Sequence, residues 1–210
     1  MPSAKIKTII FDFGNVIAYF DYKIAAGRLG KPIGLDGVGL MERAMSLGFH
    51  AMLMDLESGR VDEWTFLKEL KDRLELPQSV DQIAADWADI FSANTPVHQL
   101  AHSLKDHGYQ LVLGSNTNAI HARQFTSQFS NLLTRFNALI MSHEVGAMKP
   151  APIFYERCFE SVNAAPGECV FIDDMPENIE GAKATGLNAL HYRDTETLRL
   201  ELARLGVVVS

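Results

Sequence analysis

The pattern of hydrophobic and polar positions divides the chain into three stretches. Ile6 to Phe11 is a short apolar run rich in β-branched residues, and it ends in the polar turn Asp12-Phe13-Gly14-Asn15. An apolar run of that length closed by turn residues predicts a buried strand feeding a loop. From about Asp21 to Phe91 the rhythm changes: apolar residues recur at helical spacing, as at Trp64, Leu67, Leu70 and Leu74, and no strand pattern emerges. Gly30, Gly34, Gly37 and Gly39 interrupt this stretch early and Leu76-Pro77-Gln78-Ser79 interrupts it late. Ser79 is placed to cap a helix that begins near Val80.

After Thr95-Pro96 helices and strands alternate. The pattern predicts a helix over Val97–Lys105 that stops before Gly108, a strand over Tyr109–Leu113 and a helix after Ser115-Asn116-Thr117-Asn118. A strand over Ala138–Met141 follows, then Lys149-Pro150 and a helix over Pro152–Val162. Val170–Ile172 is a strand closed by Asp173-Asp174, Glu177–Thr185 a helix, and Leu187–His191 a fifth strand. Strands alternating with helices imply a parallel sheet with right-handed crossovers. The expected fold is therefore α/β, a doubly wound parallel-sheet, Rossmann-like core with an inserted all-helical cap. The expected division is 1–17 with 94–210 as the catalytic core and 18–93 as the cap. The insertion leaves from the sheet edge at which such folds bind ligands, a position suited to a lid.

Composition narrows the class. The chain has 210 residues, long enough for one α/β core and a smaller subdomain, with 47% hydrophobic and 21% charged residues. With 26 acidic against 19 basic side chains the net charge is −7, which disfavours nonspecific nucleic-acid binding. It leaves a small anionic substrate open, because local groups outweigh net charge inside a cleft. The two cysteines, Cys158 and Cys169, read as small core residues of a reducing compartment. No run is long enough to span a bilayer, and the N-terminus lacks a secretory pattern. The expectation is a cytoplasmic enzyme with a small-molecule substrate and no nucleic-acid or membrane partner; the oligomeric state is unreadable.

Four polar clusters each follow an apolar strand or open a helix: Asp12, Ser115-Asn116, Lys149 and Asp173-Asp174. In a parallel sheet the C-terminal strand ends share one edge, so these distant residues converge. Carboxylates brought that close repel one another, and a divalent cation is the usual remedy. Oxygen-only ligands suit Mg²⁺, which also shares phosphate oxygens. The Asp12 carboxylate can then attack phosphorus and form an aspartyl phosphate, while Mg²⁺ and Lys149 neutralise the equatorial oxygens. Ser115 and the backbone amides of the loop at Phe13 and Gly14 can hold the phosphate.

The sequence resembles the haloacid dehalogenase superfamily of phosphohydrolases, in the subgroup with a helical cap after the first strand. The resemblance covers essentially the whole chain. It rests on four motifs in order: Ile10-Phe11-Asp12-Phe13-Gly14-Asn15-Val16, Leu113-Gly114-Ser115-Asn116, Lys149-Pro150 and Phe171-Ile172-Asp173-Asp174, the last continuing with Asn178, Ala182 and Gly186. It implies Asp12 as nucleophile, Ser115 as phosphate ligand and Lys149 as the cation between nucleophile and phosphate. It also implies Mg²⁺ held by Asp12, the Gly14 carbonyl, and Asp174 with or beside Asp173. The Gly-Asn pair after Phe13, with Asp21 beyond, is similar to bacterial sugar-phosphate phosphatases acting on hexose 1-phosphates.

One departure stands out. Phosphatases of this family usually carry a second Asp two residues after the nucleophile to protonate the leaving alcohol and activate water; here that position is Gly14. Loss of a general acid/base costs about two to four powers of ten in rate. Asp21 is the substitute the sequence offers. Other polar residues have bland roles beside sharper ones: His50, Asp55 and Glu57 fit a solvated helix face better than the alternative of facing the substrate from the cap, His121 fits a surface position, Asn116 either a turn or the phosphate loop, and Asp173 or Asp174 a helix cap. Tyr19, Phe20 and Phe49 fit core packing better than the alternative of lining an apolar pocket. Two other functions share the motifs: a metal-independent haloacid dehalogenase, against which the Asp173-Asp174 pair argues, and a phosphometabolite-binding protein without turnover.

Overall fold

The computed structural model describes residues 5–209. Strand β1 (Thr8–Phe11) lies at the centre of a five-stranded parallel sheet. A strand pair, β2 (Ala18–Phe20) and β3 (Phe91–Ala93), runs antiparallel outside that sheet. The remaining strands are β4 (Gln110–Ser115), β5 (Ala138–Met141), β6 (Cys169–Asp173) and β7 (Asn188–His191), and the sheet order is β5-β4-β1-β6-β7.

Side-chain alternation along the strands sorts the core into two layers. Ile9, Phe11, Leu111, Leu113, Val170 and Ile172 face one hydrophobic cluster, while Ile10, Val112 and Phe171 face another. Both faces of the sheet are thus covered, the doubly wound arrangement that the alternation of elements implies.

Five helices lie between β2 and β3: α1 (Tyr22–Gly30), α2 (Gly37–Ser46), α3 (Phe49–Glu57), α4 (Glu63–Leu74) and α5 (Val80–Ala88). Their caps are written in the sequence. Asp21, Asp36, Asp62 and Ser79 each accept a hydrogen bond from a backbone N–H of the first turn. The helices share their own hydrophobic cluster, with Leu29, Leu40, Phe66, Leu70, Leu74 and Ile83 buried in it. Each such side chain contributes about 1.5–3 kcal/mol when removed from water.

The sheet is covered on the first face by α6 (Thr95–Asp106), α7 (Ala119–Gln128) and the short α8 (Ser130–Leu133). After α9 (Ser142–Val145), α10 (Pro152–Glu160) and α11 (Pro176–Ala184) cover the second face, and α12 (Thr195–Arg204) returns to the first. Cys158 and Cys169 are both buried and unbridged. No helix among the described residues is long and apolar enough to cross a membrane.

Strand register positions the site. Phe11 pairs with Leu113 on one side and Ile172 on the other. One residue further along, Asp12 and Asp173 emerge next to each other at the C-terminal sheet edge, with Ser115 on the neighbouring strand end.

The insertion is tied to that edge. Ser142 Oγ accepts a bond from Thr117 N (2.8 Å) and donates to the carbonyl of Glu57 (2.5 Å). Gly59, with φ of 72°, presses against the backbone of His143 so closely that any Cβ would collide with its carbonyl. An ion pair, Arg123–Glu63 at 2.6 Å, adds a further link.

Candidate active site

The C-terminal sheet edge and the insertion enclose a cavity of about 300 Å³. Asp12, Ser115, Lys149 and Asp174 line it from the core, and Tyr22 and Glu57 from the insertion.

Lys149 is the electrostatic centre. Its ammonium donates to Asp12 Oδ1 at 2.6 Å and to Asp173 Oδ2 at 2.7 Å, and all three side chains are nearly excluded from solvent. Burial alone would lower the Lys149 pKa, but the Asp12 and Asp173 carboxylates outweigh it and hold the ammonium above its ordinary value. Burial likewise raises the Asp12 carboxyl, with Asp173 and Asp174 adding to the rise and Lys149 opposing it. Asn116 fixes the lysine's backbone with two bonds: its Oδ1 accepts from Lys149 N at 2.8 Å and its Nδ2 donates to the Lys149 carbonyl at 3.1 Å. Asn116 is therefore a clasp between two loops.

The three carboxylates of Asp12, Asp173 and Asp174 each bring an oxygen within 4.8 Å of the others. Their hydrogen bonds distinguish them. Asp173 is saturated: besides Lys149, it accepts from Met175 N at 2.8 Å and from Asn178 Nδ2 at 3.0 and 3.1 Å. Asp174 accepts only from Asn15 Nδ2, at 3.0 Å on Oδ2, among the described residues, and its backbone carbonyl bonds His191. Neither aspartate caps α11 as the sequence suggested, because Met175 occupies the cap position. The Asp12 and Asp174 carboxylates, with the cavity-lining Gly14, form an oxygen donor set that suits a small hard cation.

Several expectations are corrected. Asp21 is exposed and spent on capping α1, accepting from Lys23 N at 2.9 Å, and it does not line the cavity. A carboxylate engaged in that cap is poorly placed to serve the site. Glu57, expected on a solvated face, is 9% exposed and lines the cavity. Burial pushes its carboxyl up to about 7, against the Tyr22 hydroxyl that hydrogen-bonds it and the more distant Lys149 charge. His121 is buried rather than on the surface: it stacks on Trp87 at 5.6 Å and bonds the Trp87 carbonyl through Nε2. Tyr19 and Phe20 are exposed instead of packed in the core, and Phe20 borders the cavity. His50 is exposed, and Asp55 pairs with Arg60 at 2.6 Å.

The fate of Glu57 carried one sequence signal: its position at the end of a helix, just before Ser58-Gly59, where the insertion meets the core. Phe13, expected near the phosphate, lines the cavity but also stacks on Phe125 at 3.9 Å, so its ring anchors the loop.

A doubly wound sheet that gathers an aspartate, a lysine and a pair of aspartates at its C-terminal edge, under a helical insertion, defines a class of hydrolases. Residues 6–186 match the family of haloacid dehalogenase-like hydrolases, and the chain belongs to that family. It is 27% identical to the D-ribitol-5-phosphate phosphatase of Bacteroides thetaiotaomicron, over 94% of this chain and 97% of that protein. It is 26% identical to a sesquiterpene phosphatase of Aspergillus oryzae, over 95% of this chain and 96% of that protein. Among solved structures, a HAD-family enzyme from Bacteroides thetaiotaomicron shares the fold with a TM-score of 0.77 at 23% identity, covering 90% of this chain and 95% of that one. Another structure of that enzyme is a complex with magnesium and inorganic phosphate.

Proposed function

We propose that the chain is a Mg²⁺-dependent phosphomonoester hydrolase that uses Asp12 as nucleophile. The observation that carries this reading is the shared lysine: Lys149 bridges Asp12 and Asp173 at 2.6 and 2.7 Å at the floor of the cavity. A bound Mg²⁺, held by Asp12, the Gly14 carbonyl and Asp174, supplies charge neutralisation for the phosphate oxygens. Asp173 is better suited to orient Lys149 than to bind metal, since both its oxygens are already occupied.

The side chains then divide the work. Lys149 holds one oxygen of Asp12, which turns the carboxylate and leaves the other oxygen to attack phosphorus. Ser115 and the loop after Asp12 receive the phosphate oxygens. Attack forms the Asp12–phosphorus bond as the bond to the leaving alcohol breaks. Glu57, in place of the Asp21 substitute the sequence offered, donates a proton to that alcohol oxygen. It then takes a proton from the water that cleaves the aspartyl phosphate, so that inorganic phosphate leaves and both carboxyl groups return to their starting states. Its position in the cavity and its pKa of about 7 suit both tasks.

A metal-free dehalogenase leaves Asp174 without a task, and a binding protein without turnover leaves Glu57 without one. The two full-length relatives differ in the alcohol they release, by their names a polyol and a sesquiterpene alcohol. Turnover of a phosphate-ester panel with Mg²⁺, repeated with excess EDTA and with Asp12→Asn, tests the reading. Activity abolished in both controls supports it; activity that survives EDTA overturns the metal dependence, and activity that survives in Asp12→Asn overturns the nucleophile.

A further inference from the structure

The insertion contains a second cavity, of about 350 Å³, that differs from the first in chemistry. Leu29, Leu40, Phe49, Phe66, Leu74 and Trp87 contribute to its lining, which includes no carboxylate, ammonium or guanidinium group. It opens to the surface beside Met45 and His50, both exposed. A purely structural helical bundle gains by closing such a space, because its lining forfeits dispersion contacts and stays uncovered. Here the space is retained within the hydrophobic cluster of the insertion.

The two cavities adjoin. Tyr22, Leu53 and Met54 line both and form the wall they share. The insertion side of the catalytic cavity is itself apolar. Of the residues that β2, β3 and the helices between them contribute there, only Tyr22 and Glu57 carry polar side chains. A polyhydroxylated alcohol placed against that side would lose water from its hydroxyls and find few partners in return.

We propose that the cavity within the insertion, which adjoins the catalytic cavity across Tyr22, Leu53 and Met54, receives the hydrocarbon portion of the substrate, which is the phosphate monoester of an apolar alcohol. This rests on the phosphatase reading and names its substrate class. A volume of 350 Å³ admits on the order of ten carbon atoms, a methylene needing the ~30 Å³ of a water molecule. Ala44 lines this cavity and not the catalytic one, and a larger side chain there fills it.

The test uses the full chain with Mg²⁺ and two series. In the first, kcat/KM is measured for ethyl, butyl, hexyl and decyl phosphate beside glycerol 3-phosphate and a hexose 1-phosphate. The expected result is a rise of up to about fourfold per methylene until the cavity is full, with both polyol esters below butyl phosphate. Ala44→Phe should flatten the rise, lowering decyl phosphate turnover far more than ethyl phosphate turnover. In the second series, calorimetry compares methyl- with decylphosphonate, whose P–C bond is not hydrolysed. Decylphosphonate is expected to bind at least tenfold more tightly, and only in the protein without Ala44→Phe. A flat chain-length series, a preference for the polyol esters, or equal binding of the two phosphonates overturns the apolar site even if the enzyme is an active phosphatase. Chain-dependent phosphonate binding by a protein that hydrolyses no ester overturns the phosphatase reading and supports the apolar site.

Discussion

Phe20 stands in the space that a side chain at position 14 would need: a Cβ on Gly14 would lie 2.8 Å from Phe20 Cε1. Where related phosphatases keep an aspartate, this chain keeps a glycine and fills the space with the edge of an aromatic ring. Gly14→Asp alone is expected to displace Phe20 and add little activity. Combining Gly14→Asp and Phe20→Ala in a Glu57→Gln protein is expected to recover at least about tenfold of the lost turnover, part of the range for a general acid. Steady-state kinetics with an alkyl phosphate checks this, and no recovery at all would argue against a proton donor at either place.

Glu57→Gln keeps the shape of the side chain and removes its proton chemistry. Turnover of an alkyl phosphate is expected to fall by about two to four powers of ten. p-Nitrophenyl phosphate separates the two steps, because its leaving group departs without a proton. The variant should release about one equivalent of nitrophenolate per site in a burst and then stall, as water activation fails. Stopped-flow absorbance reads the burst. An equal loss on both esters without a burst would mean that Glu57 only shapes the cavity.

Lys149→Met leaves the buried Asp12 and Asp173 facing each other without their cation. Removing one partner of a buried charge cluster costs about 3–5 kcal/mol, and urea denaturation without Mg²⁺ should show a loss of that order. Turnover with Mg²⁺ should fall by at least about a hundredfold, since a preorganised charge on the phosphate oxygens is gone. A variant with unchanged stability and rate would show that the 2.6 and 2.7 Å contacts matter to neither.

His121 supplies a pH dependence of stability. Burial lowers its pKa to about 4, from an ordinary value near 6.5. Between those values the unfolded chain binds more protons than the folded one, so stability is lost as pH falls from 6.5 towards 4. The stability difference between the natural chain and His121→Gln should therefore shrink by about 2 kcal/mol between pH 7.5 and pH 5. Urea titrations at the two pH values measure it, and a difference that does not change with pH would contradict a neutral, buried imidazole.

The strand ends were legible because Asp12, Ser115 and Asp173 each close or follow an apolar run, and a parallel sheet sends every such end to one edge. Asp12, Ser115 and the Asp173-Asp174 pair required only that rule to be brought together, whereas Lys149 lies beyond β5 and α9, in the segment that leads into α10. What the aspartates do individually was not legible. Only the hydrogen bonds from Lys149, Met175 and Asn178 show that Asp173 is committed while Asp174 is nearly free. Glu57 and His121 were misread for a common reason. Both lie where the insertion packs on the core, and burial there is set by contacts such as Ser142 to Glu57 and His121 to Trp87, between segments far apart in sequence. The strands Ala18–Phe20 and Phe91–Ala93 escaped notice because three residues give too short an alternation to read. Helix Thr195–Arg204 has many charged positions and a weak apolar stripe, although Asp194 caps it by accepting from Thr197 N.

The central claim is that phosphorus becomes bonded to Asp12. A single turnover with a phosphate ester and Mg²⁺ in Glu57→Gln, quenched in acid within the burst and digested, tests it most directly by mass spectrometry. The account predicts one phosphoryl group on the peptide containing Asp12, absent when Asp12 is replaced by Asn. A phosphoryl group on any other residue, or ester cleavage in the Asp12→Asn protein at the rate of its parent, would contradict it.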